Sequence, residues 1–130
     1  MLSEQPIDVM LLATDLGVAM EFYGDRLGLP ILLETEDFVA FGCGGDSRLV
    51  ITKSTTGTSE EQTKASWRVS DIAAEVAELR SRGVEVAEYD EPWLKTVDGV
   101  ADVGFALAAW LVDPCGNNVG LLQLKDGGGG

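Results

Sequence analysis

Apolar and polar positions along this chain follow two periods in turn, and the whole pattern occurs twice. Val9–Ala13 is a short apolar run with strand character. Asp15 then offers a helix N-cap, and Leu16, Met20, Tyr23 and Leu27 recur at helical spacing until Gly28 stops the helix. Three strands are predicted next, at Pro30–Thr35, Phe38–Cys43 and Arg48–Thr52, with Asp37 and Gly44-Gly45-Asp46 supplying the turns. The second half repeats this order. Ala65–Val69 is the strand and Asp71 the cap; Ile72, Val76 and Leu79 form the apolar face, and Gly83 is the stop. Val84–Tyr89, Phe105–Val112 and Val119–Leu124 follow as strands, the last two joined by the turn signal Asp113-Pro114-Cys115-Gly116-Asn117.

The two halves are in register: Asp15 precedes Asp71 by 56 positions and Gly28 precedes Gly83 by 55. Two copies are too few for a stacked array. They predict two βαβββ modules of one domain over 1–126, the first at about 5–53 and the second at about 62–125, with a polar linker at 54–61. The segment Tyr89–Val103 reads as a long loop, a length usually reserved for function. Residues 127–130 are all Gly and read as a disordered tail.

Composition narrows the chemistry. At 130 residues the chain is long enough for a core without staples. It contains no histidine, which removes Ser-His-Asp and Cys-His catalysis and every His-based metal site. Cys43 and Cys115 are too few for a zinc cluster and read as inert thiols in a reducing compartment, since neither has a basic neighbour to activate it. Nine basic against 22 acidic residues leave a net charge of −13, unsuited to nucleic acid or anionic membrane but attractive to cations. The start MLSEQPID lacks a basic signal-peptide region, and the longest apolar run, Phe105–Val112, is far too short to span a bilayer. A cytoplasmic location is expected.

The stretches ATDLGVAMEFYGDRLGLP, WRVSDIAAEVAELRSRGVEV and AAWLVDPCGNNVGLLQ resemble the vicinal-oxygen-chelate superfamily of glyoxalases, bleomycin-resistance proteins and extradiol dioxygenases. The resemblance spans nearly the whole chain. It implies an α+β fold whose two βαβββ modules form a curved mixed sheet around a cavity, and it implies a homodimer. It also implies four metal-ligand positions, one from each of four strands. Carried onto this chain, these fall on Asp8, Val50, Lys64 and Gly120, where the metal enzymes hold mostly His and Glu. Valine and glycine have no donor atom, and a lysine ammonium has no lone pair and repels the ion. One carboxylate does not make a selective site. Glu91, Asp98 and Asp102 are the acids that could substitute from the loop. No built-in metal or other cofactor is expected.

Strand alternation extends the list of residues facing the implied cavity. Asp8, Met10 and Leu12 share one face, as do Lys64, Ser66 and Arg68, Val50 and Thr52, and Gly120 and Leu122. Gly120 either clears room for a ligand or marks a tight sheet contact. Asp8 and Lys64 are a candidate ion pair. Trp67 and Trp110 fall on the opposite phase from Ser66 and are expected to face the helix. Trp93, in the acidic loop Asp90-Glu91-Pro92-Trp93-Leu94, either stacks on a flat cationic ligand or plugs the end of its sheet. The expected function is binding of a small organic molecule, cationic or aromatic, without catalysis. The alternative is a metal-dependent lyase, isomerase or dioxygenase of the same superfamily with unusual ligands.

Overall fold

The computed structural model describes residues 1–56 and 62–125. Most of the predicted linker 54–61 and the glycine tail 127–130 therefore lie outside the described residues. The fold is α+β, and the chain divides into two compact units: residues 1–60 with Pro114–Asn117, and residues 61–113 with 118–130.

In the first unit, strand β1 (Asp8–Ala13) leads into helix α1 (Leu16–Ala19), followed by β2 (Ile31–Glu34), β3 (Phe38–Gly42) and β4 (Arg48–Lys53). The sheet order is β1-β4-β3-β2, with β1 and β4 parallel and the other pairs antiparallel. The predicted cap is present: the Asp15 carboxylate accepts from Val18 N at 3.2 Å. The helix then departs from its predicted period. Met20–Arg26 winds as a wider π-helix, closed by Leu27 N donating to the Phe22 carbonyl at 2.9 Å. The wider turn shifts the apolar face off a strict 3.6-residue repeat. Ala19, Phe22 and Tyr23 are buried, whereas Leu16, Met20 and Leu27 are only half-buried. Tyr23 packs edge-on against Phe22 (centroids 4.9 Å apart) and obliquely on Phe41 of β3 (6.0 Å). Leu11, Ala13, Val39, Phe41, Leu49 and Ile51 form the sheet's side of this core. Each large side chain buried there contributes about 1.5–3 kcal/mol. Also within this unit, Asn117 donates from its side-chain amide to the Leu12 carbonyl at 2.9 Å.

The second unit opens the same way, with β5 (Thr63–Arg68) and helix α2 (Ile72–Ser81). Asp71 caps α2 through Ala74 N (3.1 Å), and Ile72, Val76 and Leu79 are its buried residues, as the spacing predicts. Gly28 and Gly83 take φ of 78° and 81°, the left-handed conformation that ends both helices.

The expected strand Val84–Tyr89 is a correction. Val84 and Val86 are buried, but only Val86 bridges a neighbour, Leu111. The expected loop Tyr89–Val103 is a second correction, because it folds into strands β6 (Asp90–Glu91), β7 (Leu94–Val97) and β8 (Val100–Asp102). With β9 (Ala106–Val112) and β10 (Asn118–Leu124) they complete a six-stranded sheet of order β5-β10-β9-β8-β7-β6. Strands of two to four residues are too short to show a period. Their turns are legible: Asp98 (φ 52°) and Gly99 (φ 81°) form the two-residue link that a tight hairpin requires.

Candidate functional site

Each sheet has one face against its helix and one turned away, and the predicted site residues can be placed on them. In the first unit Asp8, Met10 and Leu12 pair with Arg48, Val50 and Thr52, on the face opposite the buried Leu11, Ala13, Leu49 and Ile51. The row through Met10 and Val50 continues to Ala40 on β3 and Leu33 on β2. It is apolar from edge to edge. Val50 and Ala40, on the central strands, are buried, while Met10 is 61 % and Leu33 49 % exposed. Leu12 is exposed and Thr52 half-buried beside it.

At the polar end of this face Arg48 Nε donates to Asp8 Oδ1 at 3.0 Å, and Nη2 donates to Oδ2. The two-point hydrogen bond from Arg48 holds the Asp8 carboxyl below its ordinary range and raises Arg48 in turn. Within its own unit Asp8 thus finds a partner in Arg48, next to it on the parallel strand. Arg48 was legible only as a strand start; parallel pairing of β1 with β4 is what brings it there.

In the second unit Ser66 pairs with Gly120, and Gly120 with Trp110; Arg68 pairs with Leu122, and Leu122 with Ala108. Ser66 and Arg68 are exposed and Leu122 half-buried. Trp67 shares the helix-side row with the buried Leu121, as expected, though it is only half-buried itself. Trp110 corrects the alternation reading, because its register with Gly120 puts it on the face of Ser66. Lys64 falls where the pairing slips, Asn118 opposing Thr63 and Val119 opposing Ala65, so strict alternation does not fix its side. At Gly120 an added Cβ would lie 2.6 Å from the Ala109 carbonyl oxygen, which favours the tight-contact reading of this glycine.

Trp93 occupies the two-residue turn between β6 and β7 and is 80 % exposed. Beside it is a cavity of about 430 Å³ lined by Tyr89, Glu91, Trp93, Leu94, Trp110 and Asn118. Of the acids that could replace missing ligands, Asp102 is bound to Lys125 Nζ at 2.7 Å and held below its usual pKa by that bond. Asp98 sits in the hairpin turn. Nearby, Glu88 accepts from the Thr96 hydroxyl, from Arg80 (3.0 Å) and from Gly99 N (2.9 Å), and these bonds lower its pKa. Cys43 and Cys115 are half-buried and are not joined in a disulfide.

A divalent ion, as the resemblance would place it, does not fit this donor set. Asp8 is held by Arg48, Val50 and Gly120 supply no donor, and Lys64 brings a cation. Among the described residues no three His, Cys, Asp or Glu side chains come together as a metal group, and no helix is long and apolar enough to cross a membrane.

Comparison with known proteins places this architecture. The chain is 23 % identical to TnmS3, an antibiotic binding protein from Streptomyces sp. CB03234, over 94 % of this chain and 97 % of that one, with a TM-score of 0.67. A glyoxalase/bleomycin resistance protein/dioxygenase from Alicyclobacillus acidocaldarius is 19 % identical over 95 % and 93 % of the two chains, with a TM-score of 0.71. A glyoxalase family protein from Enterococcus faecalis is 21 % identical over 94 % and 99 %, with a TM-score of 0.69. At these identities the likeness is one of fold. No curated protein gives a significant match to the sequence. The family model for glyoxalases, bleomycin resistance proteins and dioxygenases matches residues 7–121, and the chain therefore belongs to the Glyoxalase/Bleomycin resistance protein/Dioxygenase superfamily.

Proposed function

We propose that this chain binds a small organic molecule on the sheet faces turned away from its helices, with no metal built into the site. The observation that carries this reading is the apolar row Met10, Val50, Ala40 and Leu33, exposed at both ends and edged by the Asp8–Arg48 pair. An apolar strip of this kind is normally covered by a ligand or a partner surface. Thr52 and the ion pair supply the few polar groups that orient a bound molecule. The antibiotic binding protein among the fold neighbours supports the same class of function. In the second unit Ser66, Arg68 and Leu122 offer the corresponding surface, with Lys64 at its edge. A second copy of the chain sharing this surface completes the reading.

Calorimetric or fluorescence titration against a panel of aromatic and cationic small molecules tests it. Binding of at least one compound, weakened tenfold or more by Met10→Glu in a protein that stays folded, is the expected result; equal affinity in that variant overturns the assignment. Elemental analysis after incubation with divalent metals and desalting tests the metal-free half. Less than about a tenth of an equivalent is expected. Close to one equivalent per chain overturns it and moves the metal-dependent enzyme forward. Sedimentation tests the homodimer, and a monomer mass removes the shared surface.

A further inference from the structure

We infer that the cavity bounded by Tyr89, Trp93, Trp110 and Glu91 is a binding site for a weakly hydrated organic cation, of the alkylated ammonium class. The inference rests on the small-molecule-binding reading and narrows its ligand. Three aromatic rings and one carboxylate line a space of about 430 Å³, and no basic side chain does. The rings are held differently. Trp110 is half-buried on β9 and meets Tyr89 edge to face, with centroids 5.5 Å apart and planes at 86°, an arrangement that fixes both. Trp93 instead stands on a two-residue turn whose first member is Pro92, so the backbone under it is preset while the indole is 80 % exposed. A tryptophan so exposed adds little to the stability of its own unit.

The chemistry of the walls selects the ligand. The faces of indole and phenol rings are electron-rich and attract cations, Trp most strongly. Among the described residues the Glu91 carboxylate, exposed at the mouth, makes no ion pair, so its charge is available to a ligand. An anion would meet Glu91 and a chain of net charge −13. A neutral aromatic compound could stack but would cover Glu91 without compensating it. A small, strongly hydrated cation loses too much hydration to gain from the rings. A quaternary ammonium gives up little water and offers a diffuse charge that suits both the rings and the carboxylate.

Choline and its neutral isostere 3,3-dimethylbutan-1-ol differ only in the charged nitrogen, and titration of the full chain with both, followed by tryptophan fluorescence and calorimetry, decides the point. Choline is expected to bind in the millimolar range or tighter and the isostere at least tenfold more weakly. Trp93→Ala should abolish choline binding, Trp93→Phe should retain part of it, and Glu91→Gln should weaken it several-fold with less dependence on salt. Equal binding of the two compounds, or choline affinity unchanged in Trp93→Ala, overturns the inference. Because Trp93 is exposed, loss of binding in its variants is separable from unfolding by circular dichroism. If neutral aromatic members of the panel bind while choline does not, this inference fails and the proposed function stands. If choline binds while Met10→Glu leaves every panel compound unaffected, the sheet-face reading fails instead.

Discussion

An ideal Cβ on Gly120 would stand 2.6 Å from the carbonyl oxygen of Ala109, a backbone atom that cannot move aside without parting β9 from β10. We expect Gly120→Ala to cost about 1–3 kcal/mol through this overlap. Gly44, with nothing within 4 Å of an added Cβ and no positive φ, is the matching control and should tolerate Ala. Urea midpoints of the two variants at equal slope check the contrast. The sequence suggested either a vacancy or a close contact at this glycine, and no amount of pattern reading separates them: the answer depends on where a non-adjacent carbonyl comes to lie. Asp8 is similar. Its position at the start of a strand was legible, but its partner Arg48 lies 40 residues away and is brought near only by parallel pairing.

Both helices begin on an aspartate whose side chain accepts from the backbone three residues on, and both are followed by a left-handed glycine. These signals are local, which is why the start and stop of each helix could be read directly. Asp71→Ala should lower stability by about 1 kcal/mol through loss of the α2 cap, and Asp71→Asn should recover most of it. Thermal melts of the pair test this; an unchanged midpoint in the alanine variant would show the cap to be idle. The π-helical stretch Met20–Arg26 was not legible, because a wider turn leaves no mark in a search for 3.6-residue spacing; within it Phe22 packs on Tyr23, and Tyr23 on Phe41. The segment 84–103 shows the same limit. Val84 and Val86 are apolar at strand spacing, yet only Val86 finds a bridge, while the acidic stretch after them makes three short strands.

Across the whole molecule, charge sets the response to solution conditions. With no histidine, little titrates between about pH 5.5 and 7, and stability should be flat there. Asp8, Glu88 and Asp102 all have depressed pKa values in the folded state, each through hydrogen bonds that the unfolded chain lacks. Their stabilisation is present above the ordinary carboxylate values and is lost as pH falls through the lower folded values. Melting temperature should therefore hold constant near neutrality and drop below about pH 4, the unfolded carboxylate range. A fall already under way at pH 6 would contradict this. At neutral pH the net charge of −13 repels itself, so added salt should raise the melting temperature.

Chain-local physics, namely periodicity, caps and stop glycines, determined the two-fold repeat and the α+β class, and the absence of histidine removed every His-based metal site. Each depends on residue types and their spacing along the chain. Tertiary structure alone decided which side chains face each other. It put Arg48 beside Asp8, turned Trp110 onto the face of Ser66, slipped the register at Lys64 and folded the segment that carries Trp93 into three short strands. These follow from strand pairing between distant segments, where a shift of one residue reverses the face of every side chain beyond it.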